Sequence, residues 1–234
     1  MILDAWFWTG LVIGAVSFVV CVVMTAIRRH PADASILSVA AVELFTLVYA
    51  AAAAVRQLGG VDILVCNAAV NPYYGPLLDI TDEAFDKIMT SNVKSNLWLC
   101  AKAIPPMAAR GKGSVIIVSS IGGLRGSTVI GAYGISKAAD FALCRSLAGE
   151  WGPKGVRVNC VCPGMIESRM LSTILQGRSG GNAPPPVEKI VDRIPARRLG
   201  LASEVASIVA FLASDEASYV SGSAYTVDGG RTAA

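Results

Sequence analysis

Residues 114–120 read Ser-Val-Ile-Ile-Val-Ser-Ser. A short, continuous run of Val and Ile closed by hydroxyl residues reads as a strand buried on both faces. Working outward, Ile63–Cys66, Val156–Cys162 and Tyr225–Val227 have the same character. Between them, apolar residues recur at helical spacing over Asp82–Val93, Asn96–Ala109, Ala132–Gly149 and Ser203–Ser214. Thr81 is a ready N-cap for the first of these, and Asp82 and Glu83 fill its first turn, where the helix dipole favours acids. Strands alternating with helices imply βαβ units, parallel pairing and an α/β fold. Asn182–Pro186, with its three prolines, interrupts the pattern and reads as a loop.

The rest of the composition narrows the class. With 234 residues the chain makes one domain, or one domain plus an appendage, and can bury a core without staples. Hydrophobic residues are 53% and charged residues 16%, which excludes a disordered chain. A net charge of +3 with no basic run excludes a dedicated nucleic-acid binder. The six cysteines form no CxxC, and five stand in apolar runs, as buried thiols in a reducing compartment would. One histidine, His30, and these cysteine spacings offer no metal site.

The apolar excess lies at the N-terminus. Ala5 to Ile27 carries no charge and is long enough to cross a bilayer, with Trp6 and Trp8 at one end and Arg28, Arg29 and His30 at the other. Ala34–Val55 is broken only by Glu43; it either spans or packs as a core helix. Composition therefore divides the chain into an apolar, membrane-type helical segment, 1–58, and a domain over 59–234. It predicts membrane association with the domain on the cytoplasmic side, or a cytoplasmic protein if these helices are core.

Chemistry is carried by Tyr133 and Lys137, which share one helix face a turn apart. An ammonium beside a phenol favours phenolate, so the pair predicts a tyrosine pulled below its ordinary pKa and able to exchange a proton with a carbonyl or alcohol oxygen. Three strand ends carry residues suited to a ligand, and ligands bind at the carboxyl ends of parallel strands. Ser119 and Ser120 close one, Asn67 with small Ala68 and Ala69 another, Pro163-Gly164 the third. Taken singly, each is equally a cap, a loop asparagine or a turn.

Together, VDILVCNAA (61–69), SNVKSN (91–96), GSVIIVSS (113–120), YGISK (133–137), RVNCVCPGMIES (157–168) and YVSGSAYTVDGG (219–230) resemble the short-chain dehydrogenase/reductase family in its single-domain form, with wording nearest its carbonyl and retinal reductases. The resemblance implies a Rossmann-like, doubly wound parallel sheet and hydride transfer between NAD or NADP and a small carbonyl or alcohol substrate. It implies that Tyr133 is the general acid/base, that Lys137 lowers its pKa and binds the nicotinamide ribose, that Ser120 orients the substrate oxygen, and that Asn92 holds a water of the proton relay. Asn67 and Ala69 would line the adenosine side; Pro163, Gly164 and Ile166 would border the nicotinamide; Ser168 stands where the family often has threonine. Residues 169–195 would form the substrate loop, and Ala132–Gly149 with the last strand would form subunit contacts of a homo-oligomer.

The resemblance stops short of the N-terminus. The family's glycine-rich phosphate turn has one counterpart, Thr9-Gly10-Leu11-Val12-Ile13-Gly14-Ala15-Val16, inside the apolar run and lacking its last glycine. Gly10 and Gly14 there read instead as small residues on a membrane helix, spaced for helix packing. The sheet is thus expected to be N-terminally incomplete. A second reading follows: a catalytically inactive, membrane-anchored interaction protein, or two unrelated segments joined near Gly59-Gly60.

Overall fold

The apolar runs pair in the order in which they occur along the chain. A computed structural model describes residues 60–168, 171 and 187–233. In it β1 (Ile63–Cys66), β2 (Gly113–Val118), β3 (Val156–Pro163) and β4 (Ala224–Val227) form one sheet in the order β1-β2-β3-β4. Every neighbouring pair is parallel. The register sets Cys66 beside Ile117, Val118 beside Val161 and Pro163 beside Val227, so the carboxyl ends of all four strands share one rim.

Helices cover both faces: α1 (Asp82–Met89), α2 (Ser95–Ala109), α3 (Gly131–Trp151), α4 (Val187–Val191) and α5 (Ala202–Ala213). The two-residue period of a strand sorts the β2 side chains between faces. Val115 and Ile117 pack with Leu99, Ile104 and Met107 of α2 and Phe141 and Leu147 of α3. Ile116 points the other way, with Val161, towards Leu212, Val205, Ile208 and Val209 of α5. Burial on both faces is why the centre of β2 is an unbroken apolar run, and it makes the sheet doubly wound. Arg157 of β3 ties α5 down: its guanidinium donates to Leu212 O at 2.9 Å and Ser214 O at 3.0 Å, carbonyls that the helix end leaves over.

Thr81 caps α1 as expected, its Oγ1 accepting from Ala84 N at 3.3 Å. The expected helix Asp82–Val93 does not end at Val93, however. The α-helix stops at Met89, Thr90–Lys94 forms a π turn, and α2 follows directly from Ser95. Side chains stabilise the widened turn, because Ser95 Oγ donates to Ser91 O at 2.6 Å and Asn96 Nδ2 to Asn92 O at 2.7 Å.

The membrane-type helices expected over 5–27 and 34–55, the Thr9–Val16 turn and the Asn182–Pro186 loop lie outside the described residues. Among the described residues, no helix is long and apolar enough to cross a membrane. Five cysteines, Cys66, Cys100, Cys144, Cys160 and Cys162, are free and buried. Among the described residues no group of side chains could hold a metal ion.

Candidate active site

The rim carries the site. Ser119 and Ser120 follow β2, and each serves a different element. Ser119 Oγ donates to Lys137 O at 2.8 Å, clamping α3 against the strand end. Ser120 Oγ accepts from Gly122 N at 3.0 Å and caps a short turn over Ile121–Gly123. That turn lies so close to α3 that a Cβ on Gly123 would stand 2.6 Å from Ala138 N and Lys137 C. The close approach delivers Tyr133 to Ser120: a Cβ built on Gly122 would lie 3.3 Å from Ser120 Oγ and 3.6 Å from Tyr133 Cε1.

Lys137 does share the face of Tyr133, with its ammonium 5.8 Å from the ring centroid. The direction of the phenol's shift is nevertheless the reverse of the one expected. Tyr133 is pushed above its ordinary pKa, because burial outweighs the lowering contact with Ser120 and the carboxylate of Asp140 adds to the rise. Lys137 spends its charge elsewhere. Its Nζ donates to Val118 O at 3.0 Å and to Asp140 Oδ2 at 3.2 Å, with both side chains almost wholly buried.

Asn92, in the π turn and fully buried, works as a clamp. Its Oδ1 accepts from Val70 N at 2.8 Å, and its Nδ2 donates to Val70 O at 3.0 Å and Ser136 Oγ at 3.0 Å. It thereby fixes the segment after β1 against α3. Gly75 N reaches Val129 O at 2.8 Å and closes the same segment further on. Between these ties stand Asn71 and Tyr74. Asn71 Oδ1 is buried without a well-formed hydrogen bond. The Tyr74 hydroxyl is influenced by Asn71 and Tyr133, and burial raises its pKa.

The remaining candidates line the same rim. Asn67 is exposed at the end of β1, with Ala69 half-buried beyond it. Pro163 ends β3, and Gly164 N donates to Val227 O at 2.9 Å, a position at which a Cβ would meet Asp228 Cα at 2.8 Å. Ile166 bridges to Gly200, and Ser168 Oγ accepts from Leu171 N at 3.3 Å. Sequence reading missed Asn71, Tyr74, Asn96 and Asp140. The one available signal was helical spacing: Asp140 is three residues after Lys137, and Asn96 four after Asn92.

The residues present suit the nicotinamide half of a dinucleotide. Lysine has three N–H groups and Lys137 uses two, leaving one donor for a ribose hydroxyl. Ser120 Oγ accepts from the backbone and retains its own O–H to donate. The unsatisfied Asn71 oxygen adds a buried acceptor.

Comparison with known proteins bears on the same region. A family model described as "Enoyl-(Acyl carrier protein) reductase" matches residues 28–232. "Dehydrogenase/reductase SDR family member 4" of Oryctolagus cuniculus is 40% identical over 179 residues, covering 76% of this chain and 66% of that protein. Its Homo sapiens counterpart is also 40% identical, and the chain spans 62% of its length. Among solved structures, levodione reductase superimposes with a TM-score of 0.75 at 30% identity, over 82% of this chain and 74% of that one.

Proposed function

Because the chain belongs to the short-chain dehydrogenase/reductase family, we propose that it is an NAD(P)-dependent oxidoreductase in which Tyr133 exchanges the proton with a small carbonyl or alcohol substrate. The observation that carries this reading is the meeting of Ser120 and Tyr133 at the carboxyl end of β2, with Lys137 buried behind them. A bound nicotinamide supplies or accepts the hydride. The protein's part is the proton and the geometry. Tyr133 gives its phenolic proton to the carbonyl oxygen as the carbon receives hydride, and takes it back in the reverse direction. The Ser120 O–H, which faces Tyr133, would hold the same oxygen. Asn92, through Val70 and Ser136, keeps the neighbouring loop and α3 in register. The third N–H of Lys137 would hold a ribose hydroxyl, Pro163, Gly164, Ile166 and Ser168 would border the nicotinamide, and Asn67 and Ala69 would face the adenosine side. A structural relative, gluconate 5-dehydrogenase of Burkholderia cenocepacia, was solved "in complex with NADP and tartrate", which supports this cofactor class.

The family match beginning at residue 28 supports reading residues 34–55 as part of this domain. Residues 5–27 precede the match and act as a membrane anchor; extraction at alkaline pH should leave the full chain in the membrane pellet. Exposed Leu97, Trp98 and Ile135 on α2 and α3 support a homo-oligomer built through these helices. The five buried free thiols support a reducing compartment.

The test is turnover of NADH and NADPH by the purified full chain with a panel of aldehydes and ketones. Tyr133→Phe should lower kcat by roughly 10²–10⁴ with an unchanged circular-dichroism spectrum. An equally active variant, or a folded chain that binds neither nucleotide at millimolar concentration, overturns the proposal.

A further inference from the structure

The segment that follows β1 is fixed at both ends against the start of α3. At its near end Asn92 holds the N–H and the carbonyl of Val70 and also donates to Ser136 Oγ, which itself donates to Tyr133 O at 2.8 Å. At its far end Gly75 N donates to Val129 O at 2.8 Å, four residues before Tyr133. Tyr73 is taken up locally, its hydroxyl donating to Pro76 O at 2.8 Å. Asn71 and Tyr74 remain, and the Tyr74 hydroxyl stands within electrostatic reach of both Tyr133 and the Asn71 amide. Asn71 Oδ1 is buried, and among the described residues no donor reaches it. A buried acceptor without a partner is costly to keep, and it regains its bond when a ligand seated in the site brings a hydrogen.

We propose that Asn71 is a specificity-determining residue whose Oδ1 accepts a hydrogen bond from a substrate hydroxyl on the carbon next to the reacting carbonyl. The chain then prefers α-hydroxy ketones, and vicinal diols in the reverse direction, to plain ketones and alcohols. This deepens the proposed oxidoreductase reading and rests on it for the place of the reacting carbonyl, between Ser120 and Tyr133. Asn71 stands one hydroxyl, that of Tyr74, away from Tyr133, so the donor belongs on a carbon adjacent to the reacting one. Tyr74 and Tyr133 are held as neutral phenols by burial and Ser120 carries no charge, which favours a hydroxyl over an ammonium as that donor. In reduction the carbonyl carbon gains hydride from the reduced nicotinamide, and its oxygen gains the Tyr133 proton, which water restores. The hydroxyl on Asn71 neither forms nor breaks a covalent bond, and a vicinal diol and oxidised nicotinamide result. A ketone without that hydroxyl leaves Oδ1 unbonded, and sites built around a hydrogen bond reject such analogues strongly.

The test measures kcat/KM of the full chain for 1-hydroxy-2-propanone and 1-methoxy-2-propanone. Both substituents withdraw electrons from the carbonyl, and only the first carries a donor. The native chain should favour the hydroxy ketone by roughly 10². Asn71→Leu, of similar volume and without an acceptor, should bring the two within about threefold. Asn71→Asp keeps an acceptor and should restore most of the preference. A merely structural role would lower both substrates alike and leave their ratio unmoved. If Asn71→Leu does not fold, the native ratio stands as a test, together with Tyr74→Phe, which frees the amide and should lower the preference by about threefold or more.

A native ratio near one, or a ratio unchanged in Asn71→Leu, overturns the inference. So does an Asn71→Leu effect that falls on NADH or NADPH affinity, read by calorimetry, and leaves the ketone preference intact, because the oxygen then serves the cofactor. Equal turnover of both ketones keeps the oxidoreductase and sinks the role of Asn71. A chain without turnover that still binds 1-hydroxy-2-propanone about tenfold more tightly than the methoxy ketone does the reverse, and equal binding there sinks both.

Discussion

Asn92 shows how much one side chain can hold when every polar atom is used. Its amide secures both backbone groups of Val70 and the Ser136 hydroxyl with no exposure to water. Asn92→Ala strands those groups in the interior and should destabilise the chain by about 3 kcal/mol, read as a lower urea midpoint at unchanged slope. A loss below about 0.5 kcal/mol would mean that water replaces the amide freely. Gly164 is constrained by space instead: its missing Cβ would fall 2.7 Å from Asp228 Cβ and 2.8 Å from Asp228 Cα, and backbone cannot swing aside. Gly164→Ala should cost about 1–3 kcal/mol by the same measurement. Neither effect is visible in the sequence, where Asn92 and Gly164 look like ordinary polar and turn residues. Tyr133 and Lys137 were legible because helical spacing is enough to place them together. The direction expected for the phenol was the opposite of the one found, because burial of Tyr133 raises it, and burial is supplied only by the packed structure.

At the scale of elements the strands were the most legible part. β2 and β3 are buried on both faces while β4 is half exposed, and the limits of all four fall within a residue or two of the expected ones. Helix existence followed from the same arithmetic. The junction at Thr90–Lys94 did not, because a π turn leaves apolar spacing intact and depends on the side-chain bonds of Ser95 and Asn96. Arg157 is a comparable hidden contribution. It gathers the carbonyls at the end of α5, and its half-buried guanidinium is lowered in pKa by that burial. Arg157→Met keeps the aliphatic stem and removes these bonds. It should cost about 1–2 kcal/mol and raise hydrogen exchange in Ala202–Ala213 before the rest of the sheet, as followed by mass spectrometry. Uniform exchange along the chain would show that α5 does not depend on this contact.

For the molecule as a whole, buried thiols make a collective prediction. Cys66, Cys100, Cys144, Cys160 and Cys162 are inaccessible, and burial makes Cys162 in particular a poor thiolate. An aromatic disulfide reagent at neutral pH should leave all five unmodified in the native chain and label them at once in denaturant. Rapid native labelling of any of them, located by peptide mapping, would contradict the packing described. The parallel order β1-β2-β3-β4 has a kinetic consequence as well. No strand can pair with a neighbour until an entire helix between them has been brought round, so the sheet contains no hairpin from which to nucleate. Closing such long loops precedes any reward from pairing, which places refolding roughly in the range of milliseconds to seconds. During synthesis β1 leaves the ribosome well before β2, and until then its apolar faces are uncovered. The interval between those two strands is when this chain most needs a chaperone.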